Sequence, residues 1–193
     1  MILATDFKCF VKILFSVCLL FFQRASIFAQ NQKVADSLVK IYQKNKLENS
    51  EKLELLRNLS FNEVNNLELS LKYADELIAL SKLEKNYLYL HRGYYQKGNK
   101  NRLIGDLKKA LNDFFKSAEA ASKAKFITGK GVAYMSIADV YSMMGNVSNA
   151  EVYYTKSIDL LRKTKDSIAL ASALLNAGDE YSKNKKFNLA LKH

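Results

Sequence analysis

The sequence predicts an all-α fold made of repeated antiparallel helix hairpins. Three observations point to it. The 193 residues include no proline and only seven glycines, so few positions interrupt a helix. Between Ala133 and Ser157, apolar and small residues fall at i, i+3, i+4 and i+7, the spacing of one helix face. That spacing returns about forty residues earlier and later.

Residues 1–29 stand apart from this pattern. Lys8 and Lys12 precede an uncharged apolar run at 13–22, and Ala29 follows as a small residue before a polar chain. This is the layout of a secretory signal peptide. The run is shorter than the roughly 20 apolar residues of a membrane span, and an uncleaved N-terminal anchor is the alternative. Cleavage after Ala29 would remove Cys9 and Cys18, the only cysteines. The remaining chain would enter an oxidising compartment with no thiol, disulfide or cysteine metal site. The net charge would fall from +11 to +9, still enough to favour anionic surfaces such as lipid headgroups, polyanionic glycans or acidic proteins. No nucleic acid is expected as partner of an exported chain. Residues 30–48 are expected to hold one capping helix, at about 34–44.

In the best-defined unit, Tyr134, Ile137, Ala138 and Tyr141 form the inner face of a first helix. Gly145-Asn146 ends it as a left-handed cap does. Ala150, Tyr153, Tyr154, Ser157 and Leu161 line the second helix. Forty residues on, Leu174, Ala177, Gly178, Tyr181 and Ala190 repeat the order. Upstream, Tyr87, Leu90, His91, Tyr94 and Gly98 match it, with Ala110, Phe114 and Ser117 following after a long loop expected at 98–105. The first unit has Leu56, Leu59 and Ser60, then Ser70, Tyr73, Ala74 and Leu77. In this alignment His91 stands where other units have Ser60, Ala138 or Gly178. It is therefore expected to push its two helices apart or to point outward.

The pattern of aromatic, apolar-small pair, Tyr, Gly, Ala, Tyr and small residue resembles the tetratricopeptide repeat (TPR) family. The resemblance covers residues 49–193, as units 49–84, 85–126, 127–165 and 166–193, and implies a right-handed superhelical solenoid of antiparallel helix hairpins. Each hairpin alone leaves an apolar face exposed, and stacking its neighbours buries it. Small residues let helices approach, and tyrosines fill the gaps with their hydroxyls at the wet edge. The last unit begins a second helix in KKFNLALKH and stops, so it is expected to be incomplete and the natural chain to continue.

Candidate chemistry is sparse. Two histidines, one of them the terminal His193, and no cysteine beyond the leader leave no His/Cys metal site and no Cys–His nucleophile pair. GKGVAY at 129–134 lacks the third glycine, the Lys-Ser/Thr and the preceding strand of a phosphate loop, and reads as a helix start. Asp179-Glu180 reads as a solvated helix face. Neither cofactor nor catalytic activity is expected of this chain.

What remains is a binding surface. The TPR resemblance implies that first helices line a concave groove for an extended peptide or partner helix. Carried over residue by residue, that groove is Arg57 and Phe61, then Leu88, Arg92 and Tyr95, then Met135, Asp139 and Met143, then Leu175 and Asp179. It would be basic at the N-terminal end and acidic at the other, a gradient able to set the direction of a bound peptide, with methionines as adaptable floor. Arg92→Ala and Asp139→Ala are expected to weaken a partner with little change in stability. A leader followed by long repeats is also similar to the extracytoplasmic sensor halves of Gram-negative signalling proteins. In those, a membrane helix and a histidine kinase, nucleotide cyclase or DNA-binding domain lie downstream. The expectation is a partner-sensing module in the periplasm or at the cell surface. The alternative is a stand-alone exported scaffold without an output domain.

Overall fold

A computed structural model describes residues 32–44 and 47–185. Residues 1–29, the expected leader with Cys9 and Cys18, and the last stretch with Ala190 and His193 lie outside the described residues. Eight helices and no strand occur among the described residues. Residues 32–44 form α1. Then follow α2 (Asn49–Asn62), α3 (Leu67–Leu83), α4 (Tyr87–Leu103), α5 (Leu107–Lys123), α6 (Ile127–Met143), α7 (Val147–Leu161) and α8 (Ser167–Lys183). The pairs α2/α3, α4/α5 and α6/α7 are hairpins, and α8 packs on both α6 and α7.

A beat of twenty residues underlies the array. The side chains of Asn66, Asn86, Asp106, Asn146 and Asp166 each accept the backbone N–H three residues on, capping α3, α4, α5, α7 and α8. Just before the caps of α4 to α7 stand Lys85, Gly105, Lys125 and Gly145, all at positive φ. Each turn closes with the paired bonds of a Schellman motif; Asp106 N–H reaches Asn101 O at 2.9 Å and Gly105 N–H reaches Arg102 O at 3.1 Å. The same pair recurs at Lys85-Asn86, Lys125-Phe126 and Gly145-Asn146. Seventeen residues of helix and three of turn thus make one rod, used for both kinds of connection. After α7 the rule breaks. There the Thr164 hydroxyl donates to Leu161 O at 2.7 Å and accepts from Asp166 N–H at 3.3 Å, so a side chain holds the turn.

Helix α4 runs unbroken from Tyr87 to Leu103, so the long loop expected at 98–105 does not exist. The second unit sits forty residues from the third, position for position. Tyr94 matches Tyr134, Gly98 matches Ala138 and Gly105 matches Gly145. The alignment on Tyr87, Leu90 and His91 was two helical turns out of register. Gly98 is the small inner residue, because a Cβ there would lie 2.8 Å from the Phe114 ring. His91 corresponds to Gly131. The Ser117 hydroxyl donates to His91 O at 3.1 Å, as the Ser157 hydroxyl donates to Gly131 O at 2.8 Å. His91 is buried; it neither splays its hairpin nor points outward.

Three apolar clusters form the core. Leu53, Leu56, Leu59, Tyr73 and Leu77 hold the first hairpin. Ala110 and Phe114 pack on Ile137 and Val140, joining the second hairpin to the third. Ala138, Ala150, Tyr154, Ile158 and Leu161 pack on Ala173, Ala177 and Tyr181 of α8. In the second and third clusters small residues face large ones, which is how close packing without voids is reached. Consecutive first helices, α2, α4, α6 and α8, also approach each other closely, whereas the backbones of α3, α5 and α7 stand farther apart, α5 reaching α7 through the Phe115 ring on Tyr153. The first helices therefore form an inner wall and the second helices an outer one.

Candidate functional site: the inner wall of first helices

Polar cross-links stitch this wall. Tyr89 OH on α4 donates to Glu54 Oε2 on α2 at 2.8 Å. Ser136 on α6 donates to Tyr95 OH on α4 at 3.4 Å. Asn176 Nδ2 on α8 donates to Asp139 Oδ1 on α6 at 3.2 Å, and Ser142 donates to Glu180. Glu180 is buried by this bond and by Asn184, so Asp179-Glu180 is not a solvated pair; only Asp179 is exposed.

At the N-terminal end, Glu54 organises the charges. Arg57 Nε donates to it at 3.0 Å, and Arg92 lies 3.7 Å away while stacking over the Tyr89 ring at 4.9 Å. The Arg57 hydrogen bonds, helped by Tyr89 and Asn58, hold the Glu54 carboxyl down to about 2 against partial burial. Arg57 and Arg92 therefore meet, around a carboxylate that answers them both.

In the middle, Asp139 accepts from Tyr154 OH at 2.7 Å and from Asn176, with Arg102 Nη1 3.9 Å away. Burial raises the Asp139 carboxyl, and the bonds from Tyr154 and Asn176 and the charge of Arg102 oppose that rise. Asp139 is thus a junction of three hairpins. Asp179, further along, pairs with Lys183. Each groove charge has a counter-charge from the chain, which blunts the basic-to-acidic gradient read from the sequence.

The apolar members divide. Tyr95 is half-buried against Phe114, ring centroids 5.6 Å apart, and Met135 is half-buried against the core shared with α8. Leu88 is half-buried. Phe61, Met143 and Leu175 are open, at 52%, 55% and 74% exposure. Tyr95, Met135 and Leu175 stand forty residues apart in turn, and so do Asn99, Asp139 and Asp179. The sequence reading missed Glu54, Tyr89, Arg102 and Asn176. A forty-residue shift in the correct register would have found Asn176, which lies opposite Gln96 and Ser136 in the repeat.

Among the described residues no group of His, Cys, Asp and Glu could hold a metal ion, and no helix is long and apolar enough to cross a membrane.

The arrangement has solved counterparts. RapI superimposes with a TM-score of 0.70 at 18% identity, over 79% of this chain and 56% of that one. A signal transduction ATPase with numerous domains that has a tetratricopeptide repeat sensor, from Pyrococcus horikoshii, gives 0.67 at 17% identity, over 79% of this chain and 24% of that one. Kinesin light chain TPR-like repeats from Podosopora anserina give 0.65 at 14% identity, over 85% and 83%. The chain has the tetratricopeptide-repeat fold. It spans little more than half of RapI and about a quarter of the ATPase. No protein-family model and no curated protein matches the sequence. Within the TPR fold, Tyr134, Tyr141 and Tyr154 are packing residues. The first two gather with Tyr153, at centroid distances of 5.5 and 5.7 Å, and Tyr154 is buried.

Proposed function

We propose that this chain is an exported TPR module that binds a protein or peptide partner along the inner wall, and that it is the partner-sensing part of a larger bacterial signalling protein. The observation that carries the binding reading is the exposure of Phe61, Met143 and Leu175, apolar side chains of the first helices, with Leu175 midway along α8 and Met143 at the end of α6 where the wall meets the rim of the array. Apolar anchors flanked by fixed polar groups are what peptide recognition uses. Support for the sensing role comes from the P. horikoshii ATPase, whose TPR portion is a sensor, and from the leader-like residues 1–29.

The binding reading is tested by selecting peptides from a displayed random library with the full chain and measuring their affinity for variants. Met143→Ser and Leu175→Ser should each weaken a selected peptide about tenfold or more while leaving thermal unfolding unchanged. Peptides indifferent to both changes would remove the inner wall as the site. The signalling reading is tested by the gene beyond the His193 codon. A membrane span and an output domain would support it; a prompt stop codon would leave a stand-alone scaffold.

A further inference from the structure

Turns leading from a second helix to the next first helix share one rim of the array. Asn49, at the start of α2, marks that rim by donating to Glu84 in the turn after α3 at 2.6 Å. Lys82 and Lys85 flank this turn, Lys123 and Lys125 the next, and Arg162, Lys163 and Lys165 the third. Against these seven cations the three turns, at 82–87, 123–127 and 162–168, set only Glu84 and Asp166. Apolar side chains stand open between them. Leu83 is 76% and Ile168 79% exposed, and Tyr87, Phe126 and Ile127 are exposed too.

The opposite rim is less basic. Leu103, Ile104, Met143 and Met144 are exposed there, but the turn after α6 carries no charge, the turn after α2 carries Glu63, the turn after α4 sets Asp106 against Arg102, and Lys183 beside the turn after α8 is paired with Asp179, which leaves Lys185. The left-handed turn position also differs. It is Gly105 and Gly145 on that rim but Lys85 and Lys125 on the basic one, where a side chain is strained. Lys185 is the one exception on the glycine rim.

A cleft of about 240 Å³ opens beside the basic rim, between α3 and α5, with Leu90 and Tyr94 of α4 as lining. The ammonium groups of Lys82 and Lys116 lie 5.7 and 5.6 Å from the centre of the Tyr94 ring. Glu119, the carboxylate of the cleft, pairs with Lys123 at 2.7 Å. Two cations held near one ring repel each other, and an anion between them removes that repulsion.

From these features we infer that the basic rim docks on an anionic lipid surface. Leu83, Tyr87, Ile127 and Ile168 enter the headgroup–acyl boundary, and the lysines of the turns meet headgroup phosphates. The cleft of Lys82, Tyr94 and Lys116 holds one such phosphate. A soluble polyanion would satisfy the lysines but would leave the open leucine and isoleucine in water. Docking by this rim leaves the inner wall free, so the inference stands independently of the peptide-binding reading.

The chain has no tryptophan, so one introduced residue reports its own position. Leu83→Trp and Leu103→Trp, each in the full chain, are mixed with vesicles of phosphatidylcholine alone or with a third phosphatidylglycerol, both carrying brominated acyl chains. The inference expects quenching at residue 83 on the anionic vesicles, little on the neutral ones, and none at residue 103. The N-terminal apolar run can tether the chain to either vesicle, but it does not select residue 83 over residue 103. Adding Lys85→Gln, Lys125→Gln and Lys163→Gln to Leu83→Trp should weaken vesicle binding about fivefold per lysine. The inference is overturned if residue 83 stays unquenched, if it is quenched equally by neutral vesicles, or if residue 103 is quenched instead. It is also overturned if residue 83 responds to dextran sulfate and not to vesicles, which would make the rim a polyanion site.

Discussion

The imidazole of His91 lies against the bare backbone of Gly129; a Cβ at Gly129 would come within 2.7 Å of His91 Nε2 and closer still to the Phe126 ring. The ring of His91 meets Phe126 edge-on at 5.6 Å, and its Nδ1 is 2.8 Å from the Ser117 hydroxyl. Glycine in a helix interior costs about 1 kcal/mol relative to alanine, yet here it makes room for a ring from the previous hairpin.

Gly129→Ala should therefore destabilise rather than stabilise, by about 1–3 kcal/mol, because overpacking outweighs the gain in helix propensity. Urea unfolding of the variant checks this. A midpoint at or above that of the wild type would mean the α4–α6 contact yields easily.

Burial pushes His91 down to about 4, and the nearby Arg92 charge lowers it further while the Ser117 carbonyl opposes. The unfolded chain binds this proton near 6.5 and the folded chain only near 4. Stability from the neutral imidazole is complete above about pH 6.5 and declines as pH falls towards 4, by about 3 kcal/mol in all. The measurement is unfolding free energy against pH for wild type and His91→Gln. The difference between the two should shrink across that window. A constant difference would mean that His91 takes up its proton without loss of packing.

Tyr154 and Asp139 share a 2.7 Å hydrogen bond under the inner wall. Tyr154→Phe removes the donor and should cost about 1–2 kcal/mol. Asp139→Ala should cost more, since it leaves the buried Tyr154 hydroxyl and Asn176 without their acceptor. Arg92, at the wall's edge, should tolerate alanine within about 0.5 kcal/mol. A partner lost on Asp139→Ala with stability intact would restore the simpler view of Asp139 as a contact residue.

Lys125 sits at φ 54°, in the region that favours glycine. Lys125→Gly relieves that strain but loosens the unfolded chain, for a net gain of about 0.5–1 kcal/mol. Thermal unfolding should move upward. A lower midpoint would show that the lysine stem contributes packing that outweighs the strain.

Legibility in the sequence followed chemistry. The third unit was readable because Tyr134, Ile137, Ala138 and Tyr141 form an apolar face, and all of its inner positions are buried or half-buried as that face requires. In the second unit the counterparts of Ile137 and Tyr141 are Lys97 and Asn101. Asn101 is buried but polar; its amide donates to the buried Asp113 at 2.7 Å. A hydrophobic template slides past such a position and settles on Tyr87 and Tyr94 instead. The turn beat of Asn or Asp at 66, 86, 106, 146 and 166 was also in the sequence. It fixes the register better than the apolar residues do, because a cap obeys backbone geometry whatever the core contains. The groove charges were placed on the inner wall, but their counter-ions Glu54, Arg102 and Lys183 are known only from folded distances.

Helices α2 to α8 touch only their first and second neighbours along the chain. Mechanically the molecule is a linkage, not a block. Tension applied at its two ends would pass through every hairpin in series, and extension would proceed by peeling one hairpin at a time from whichever end is weaker. A load at one end reaches the other only by bending each joint between. The stiffness of the whole is therefore set joint by joint, and the joint at Thr164 is built differently from the rest, a side chain doing there what a Schellman turn does elsewhere.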